Sequence, residues 1–438
     1  MNIAIVGYGL EGKSSCEYFL ARGDRVTVCD QDSSVVDSIP KGVITKVGAG
    51  YLDDLDRFDR IVRSAGIPPE VILDRYPSMA ERITTNINEF LLRSPSKNII
   101  GITGTKGKGT TSTLTARILE MGGKEVFLGG NIGVPALSFL KDMQPDNWVV
   151  LELSSFQLVD VHRAPHIAVC LMVAPEHLDW HGSRQAYYRA KSRLFELQKS
   201  KDIAIYFSKS IASHTIASHS LGTKLTYYDS PGAYVENGAI MIDGQTICQT
   251  DELQLRGRHN WQNVCAAVTA AWQAGVQDIE AIRSAVLSFS GLEHRLEYVA
   301  EINGVEYFDD SFGTTPETAI VAIESFKQPK VLILGGSDKG AHYKKLAKTV
   351  MREAVRHVIT IGDTGPAIAE ALRNEGFVEL SPGGTTMPDI VSAAQMVAAP
   401  GDVVLLSPAC ASFGLFHDYK DRGTQFKQAV QGLALVAE

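Results

Sequence analysis

A chain of 438 residues with 45% hydrophobic side chains can bury several cores, so two or three domains are expected and a disordered or fibrous protein is excluded. The net charge of −8 comes without a basic stripe, which argues against a nucleic-acid partner. No apolar run approaches a membrane span, the start Met1-Asn2-Ile3 enters a strand pattern without a signal peptide, and the six cysteines form no C-x-x-C pair. These features point to a cytoplasmic protein with no membrane contact, reduced thiols, and neither a zinc site nor a disulfide framework.

The first predicted element is a strand from Asn2 to Val6, followed by Gly7-Tyr8-Gly9-Leu10-Glu11-Gly12 at the start of a helix. A second strand, "RVTVCD", ends on Asp30. Strand, G-x-G-x-x-G, helix, strand and acid form the dinucleotide fingerprint, in which a tight turn brings a helix N-terminus to a phosphate. Alone, it is compatible with an NAD-dependent oxidoreductase. This block also holds the loop "VRSAGIPPE" and runs to about Arg93, where "RSPSK" is expected to be a linker.

The next block opens with the strand "NIIGIT" and the loop "GTKGKGTTS", again ahead of a helix. This is the setting of a phosphate-binding P-loop made of Gly104, Thr105, Lys106, Gly107, Lys108, Gly109, Thr110 and Thr111. Lys108 is the expected phosphate lysine. The match to G-x-x-x-x-G-K-[ST] is imperfect, since Ile102 stands at the first glycine and Gly109 follows the lysine. The hydroxyl for Mg²⁺ is therefore expected from Thr110 or Thr111. The strand "WVVLE" ends on Glu152, where open α/β sheets place functional groups. "AYVENGAIMIDGQTIC" is expected to form a β-hairpin, and a helix begins at "RHNWQN", where Asn260 and Asn263 have the chemistry of helix caps. A third block starts near Gly291 with strands "KVLILGG", "HVITIG" and "DVVLLSPA". The alternation predicts α/β architecture with mainly parallel sheets in three domains, 1–93, 94–290 and 291–438. Two phosphate loops in separate blocks fit a dehydrogenase poorly and fit an enzyme that brings two nucleotides together.

Further motifs follow in order along the whole chain: "GNIGVPAL", "LELSSFQL", "EHLDWHG", "YYRAKSRLFE", "RHNWQN", "GLEHRLE", "GGSDKG" and "LLSPACASFGLF" with a later "RG". With "GTKGKGTT", they make the sequence similar to the Mur ligase family and most of all to its D-glutamate-adding branch. The resemblance implies an N-terminal Rossmann-like UDP-binding domain, a central P-loop ATPase-like domain and a C-terminal Rossmann-like domain that takes the amino acid. It implies an ATP-dependent ligase of peptidoglycan precursor synthesis, acting as a cytoplasmic monomer on UDP-N-acetylmuramoyl-L-alanine and glutamate. ATP first phosphorylates the alanyl carboxylate, and the glutamate amine then attacks the acyl phosphate. Two Mg²⁺ ions are expected as cofactors.

Residue roles follow from the same resemblance. Lys108 binds the β- and γ-phosphates, and Thr110, Glu152, His177 and a carbamylated Lys191 serve the metals; without the resemblance, Lys191 reads as an ordinary helix-surface lysine. Asn260, Asn263, Arg295 and Asp310 serve the ATP. The UDP-substrate is assigned to Gly9, Leu10, Glu11, Asp30, Gln31, Ser64, Gly66, Asn131, Gly133 and Ser154, and glutamate to Thr314, Lys339, Ser412 and Tyr419. One stretch departs from the branch, with Phe312 where a lysine is typical and Tyr419 where phenylalanine is usual. This leaves L-glutamate or another acidic amino acid as an alternative substrate. A ligase-like scaffold without turnover is the non-enzymatic alternative, disfavoured by the presence of Lys108, Glu152, His177 and Lys191.

Overall fold

Alternate residues of a strand point to opposite faces, so a strand apolar throughout must be covered on both sides. The opening strand shows this directly: Ala4 and Val6 pack into one core, Ile3 and Ile5 into another. The computed structural model describes residues 1–255, 257–338 and 341–436, with side chains as far as Leu433. The chain divides into two compact units, Met1–Phe289 and Ser290–Glu438.

The first unit contains two parallel sheets. One is built from β1 (Asn2–Val6), β2 (Arg25–Asp30), β3 (Ile44–Val47), β4 (Arg60–Arg63) and β5 (Ile83–Thr84) in the order β3-β2-β1-β4-β5. The order reverses around β1, which opens a crevice at the carboxyl ends of β1 and its neighbours. The second sheet holds β6 (Ile99–Thr103), β7 (Val126–Gly130), β8 (Trp148–Glu152), β9 (Ile167–Cys170), β10 (Ile203–Phe207) and β11 (Thr223–Tyr227), in the order β11-β10-β9-β6-β8-β7. A small antiparallel sheet, β12 (Tyr234–Glu236), β13 (Ala239–Ile242) and β14 (Gln245–Gln249), replaces the single hairpin expected there. The cause is local, since both Asn237-Gly238 and Asp243-Gly244 take positive φ and each closes its own tight turn.

The expected linker after Arg93 is pinned rather than loose. Ser96 is buried, and its Oγ donates to the Asn147 carbonyl at 2.7 Å. The two large sheets of this unit are also tied by Asn86, whose side-chain amide donates to Ser15 Oγ at 3.0 Å and accepts from the Leu137 N–H at 3.3 Å.

The second unit has one sheet of β15 (Glu297–Ile302), β16 (Val305–Asp309), β17 (Lys330–Gly335), β18 (Val355–Ile361), β19 (Leu380–Pro382) and β20 (Val403–Leu406), ordered β15-β16-β20-β17-β18-β19. Only the β15–β16 pair is antiparallel. Leu332 and Leu334 pack with Ile323, Leu346 and Ile368 on one face; Val331 and Ile333 pack with Ile390, Phe426 and Val430 on the other. All six cysteines are buried and unpaired, as their apolar settings suggested. Among the described residues no helix is long and apolar enough to cross a membrane.

The turn after β1 is fixed by close approach. A Cβ on Gly12 would lie 2.1 Å from the Gly7 carbonyl oxygen, so the helix Leu10–Ala21 rests directly on that peptide. Gly12→Ala is expected to destabilise the protein by about 1–3 kcal/mol through this overlap. The denaturation midpoint measures it, and an unchanged midpoint would mean that the turn yields without cost.

Candidate active site

The carboxyl ends of β1, β2 and β4 surround a cavity of about 280 Å³ lined by Gly7, Tyr8, Gly9, Asp30, Gln31, Tyr51, Ser64 and Ile67. Asp30 is held in place by the Tyr8 N–H at 2.6 Å and the Asp32 N–H at 2.8 Å. Gly9 and Asp30 of the fingerprint thus line one cavity together with Gln31 and Ser64. Leu10 is 75% exposed at the helix start. The Glu11 carboxylate accepts from Gln157 Nε2 at 2.5 Å and from the Ala65 N–H. Burial pushes this carboxyl above its ordinary value, while Gln157, Ala65 and the Arg63 charge pull it down. Ser154 caps the short helix Ser155–Leu158 in a capping box with Gln157.

The second loop leaves β6 and enters the helix Lys108–Met121, so its N–H groups and the positive end of the helix dipole face one point. Gly107 takes φ +87, and a Cβ there would meet Asn263 Oδ1 at 2.2 Å. Asn263 therefore lies directly against the phosphate loop and donates to Asn260 Oδ1 at 3.0 Å. Neither asparagine is the cap, because the helix Arg258–Gln273 starts after Gly257. Lys108 Nζ donates to the carbonyls of Gly104 at 3.3 Å and Thr105 at 3.1 Å. Thr105 Oγ1 donates to the Ala174 carbonyl at 2.8 Å and lies 2.9 Å from the Tyr187 hydroxyl. Lys106 is exposed, and Gly109 is buried where the helix meets the sheet.

Glu152 ends β8 opposite Ile102 of β6 and is buried. Asn131 holds it twice, accepting nothing in return: its N–H goes to the Glu152 carbonyl at 2.9 Å and its Nδ2 to Oε1 at 2.8 Å. Gly133 follows in left-handed conformation, φ +68. Among the described residues Glu152 Oε2 takes no hydrogen bond, and Thr111 Oγ1 is buried with no partner. A carboxylate oxygen and an orphaned hydroxyl are the donors a Mg²⁺ ion prefers, so these residues fit the cation. Thr110, the expected ligand, is half-buried on the neighbouring position of the same helix turn. His177 takes φ +54, stands 3.7 Å from Glu176 and packs at 4.8 Å against Phe156; its imidazole suits Mg²⁺ less well than oxygen does.

Lys191 is the sharpest departure from the surface lysine that its local sequence describes. Its side chain is 1% exposed, with Nζ donating to the Gly104 carbonyl at 2.8 Å and lying 4.6 Å from the Tyr187 ring centroid. Burial depresses the amine to about 7, and the nearby Lys108 charge pushes the same way.

In the second unit, Arg295 stacks over Phe312 at 5.5 Å, and the Tyr419 ring meets Phe312 edge-on at 5.3 Å. Asp310 is buried and accepts from Ser407 Oγ at 2.6 Å and from the Leu296 N–H at 3.2 Å; burial raises it to about 7. Thr314 is half-buried and Ser412 is buried. Lys339 lies outside the described residues.

Several residues that organise these sites lie within quoted stretches but received no role from the sequence. Arg422 is fully buried and donates to Ser311 Oγ at 2.9 Å and to the Ser311 carbonyl at 2.8 Å. His294 Nδ1 lies 2.7 Å from Asp309 Oδ2. Arg63 is buried beside the first loop, and Tyr51 lines its cavity. Arg63 lies in the loop stretch "VRSAGIPPE", and the structure places it at the end of the short strand Arg60–Arg63.

Comparison with known proteins fits this geometry. Profiles described as "Mur ligase middle domain" and "Mur ligase, glutamate ligase domain" match residues 102–271 and 294–410. The UDP-N-acetylmuramoylalanine--D-glutamate ligase of Symbiobacterium thermophilum is 36% identical, over 98% of this chain and 98% of its own. The protein of the same name from Acidobacterium capsulatum is 39% identical, over 98% and 95%. Among solved structures, the UDP-N-acetylmuramate-alanine ligase MurC of Thermotoga maritima has a TM-score of 0.60 at 16% identity, covering 99% of this chain and 100% of its own. A MurF of Acinetobacter baumannii also gives 0.60 at 16% identity, covering 98% and 93%, a likeness of fold. Three parallel-sheet regions, two phosphate-type loops and full-length relatives above 30% identity agree: this chain belongs to the Mur ligase family.

Proposed function

We infer that the chain catalyses the MurD reaction, ATP-dependent amide formation between UDP-N-acetylmuramoyl-L-alanine and D-glutamate, in peptidoglycan precursor synthesis. One observation carries the chemistry: the P-loop, Glu152 and the buried Lys191 amine converge at the carboxyl ends of adjacent strands, in a chain with a second phosphate-type loop after β1. The full-length relatives named for this reaction support the choice of substrates. We assign the blocks 1–93, 94–290 and 291–438 to the UDP-substrate, ATP and amino acid respectively, in a monomer working in the cytoplasm.

The first step brings an ATP phosphate onto a carboxylate, two anions in a chain of net charge −8, so local cations must hold them. Lys108 and the helix N-terminus that it opens receive the β- and γ-phosphates, with Asn260 and Asn263 beside the loop at the nucleoside end. A bound Mg²⁺ ion would neutralise part of the charge that builds up in this step. Glu152, Thr110 or Thr111, His177 and Lys191 are the side chains that would hold it. Lys191 does so as a carbamate: its neutral amine adds to CO₂ and releases one proton, giving an anionic oxygen donor. Burial supplies the neutral amine this needs. Arg295 and Asp310 serve the ATP, while Thr314, Lys339, Ser412 and Tyr419 receive D-glutamate, whose amine attacks the acyl phosphate and displaces phosphate.

Phosphate release by the purified protein is expected to require ATP, the UDP-sugar and D-glutamate together, with L-glutamate and L-alanine giving no product. Lys108→Ala is expected to lower kcat by about 100-fold or more, the scale of losing one charge-stabilising donor. Turnover independent of the UDP-sugar, or a folded Lys108→Ala enzyme as active as its parent, would refute this function.

Lys191 also makes stability depend on pH. Its amine titrates near 10.5 when unfolded and near 7 in the fold. The cost of burying it is therefore complete below about pH 7 and is relieved as pH rises towards about 10.5. In CO₂-free buffer, Lys191→Met should be more stable than the parent at neutral pH, with the difference closing across that window. Denaturation midpoints measure this, and parallel curves would contradict a depressed Lys191.

A further inference from the structure

The loop after β4 is gathered by a side chain that the ligase chemistry leaves without a role. Arg63 ends β4 and is 1% exposed. Its Nη1 donates to the carbonyls of Ser64 at 3.2 Å, Ala65 at 3.2 Å and Ile67 at 2.6 Å. The remaining carbonyl of this stretch, Gly66, accepts from Trp180 Nε1 at 3.0 Å. The Trp180 ring in turn lies 5.9 Å from the Arg63 guanidinium carbon. Four successive carbonyl oxygens are thus engaged by Arg63 or Trp180. The other donors of the same guanidinium reach across to the second sheet's connections, Nε to Asp160 Oδ2 at 2.6 Å and Nη2 to the Phe156 carbonyl at 3.0 Å. Those two acceptors flank Gln157, which holds Glu11 of the first loop.

The cavity at the ends of β1, β2 and β4 is lined by Ser64 and Ile67 of this loop, but not by Arg63, Asp160 or Trp180. A carbonyl oxygen is a partial negative charge, and an anion in that cavity is repelled by any that turn towards it. A planar guanidinium with five donors in a fixed fork can hold several carbonyls at once, which a lysine ammonium cannot do in the same geometry. We propose that Arg63 is a positioning residue for the UDP-sugar substrate. It gathers the carbonyls of residues 64–67 on the side facing Asp160 and Trp180, and so keeps these oxygens from turning towards a diphosphate in the cavity. The proposal rests on the reading that this cavity takes the UDP-sugar.

The test compares the parent with Arg63→Ala, Arg63→Lys and Asp160→Asn, using calorimetric titration with UDP and steady-state kinetics with each substrate varied in turn. Arg63→Ala should raise KM for the UDP-sugar roughly 10- to 100-fold, the scale of misplacing a binding loop, with kcat and KM for ATP nearly unchanged. Arg63→Lys should recover part of the loss, and Asp160→Asn should shift the same KM by less. If Arg63→Ala fails to fold, the other two variants decide the question. A lowered denaturation midpoint with an unchanged KM for the UDP-sugar would overturn the proposal, as would an equal rise in KM for ATP. If the parent binds UDP and the Arg63 variants bind it as tightly, this inference alone falls; if the parent does not bind UDP, the substrate reading falls and takes it along.

Discussion

Everything in the first unit depends on one geometric constraint: parallel strands end together at one edge of their sheet. A helix that returns from such an edge begins there, with its unpaired N–H groups and its positive dipole end beside the strand tips. In this chain the edge of one sheet carries the loop Gly7–Gly12 and the edge of the other carries Gly104–Thr111. Both present a helix N-terminus at the strand tips, in a protein whose net charge of −8 repels anions. Attraction is therefore local, from backbone dipoles and a few placed cations, and it acts only where the backbone approaches closely. Glycines at 7, 12 and 107 make that approach sterically possible, because a Cβ at any of them would overlap a neighbour.

Burial then differentiates residues that look alike in sequence. Lys106, Lys108 and Lys191 have the same side chain and differ in environment. Lys106 is exposed at the loop, Lys108 folds over the loop carbonyls, and Lys191 is enclosed beneath them with its amine pushed towards neutrality. The same holds for carboxylates. Asp30 is satisfied by backbone N–H groups and organises a turn, Asp310 is desolvated and raised to about 7, and Glu152 is buried at a strand end with Asn131 donating to one of its oxygens.

Buried arginines do a different job here. Arg63 and Arg422 both end with their donors on backbone carbonyls and on groups distant in the chain. A guanidinium keeps its charge when buried and has enough donors to fix several segments at once. Placed under a functional loop, such a residue determines which polar groups the loop can offer on its other side.

The sequence alone determined what depends on neighbours within a few residues. Strand–glycine loop–helix patterns located both tight loops and the helices that follow them, the apolar strand "WVVLE" placed Glu152 at the carboxyl end of a strand, and ordered motifs pointed to the family. The second turn of the small sheet is as local as the first, closed by Asp243-Gly244 as the other is by Asn237-Gly238. Tertiary structure decided what depends on partners far away. Arg63 meets Phe156 across 93 residues and Arg422 meets Ser311 across 111. Lys191 reads as a surface lysine until the helix that carries it packs against β6, because its burial belongs to the fold around it. Local pattern specifies backbone conformation, whereas desolvation and long-range hydrogen bonding exist only once the chain has closed on itself.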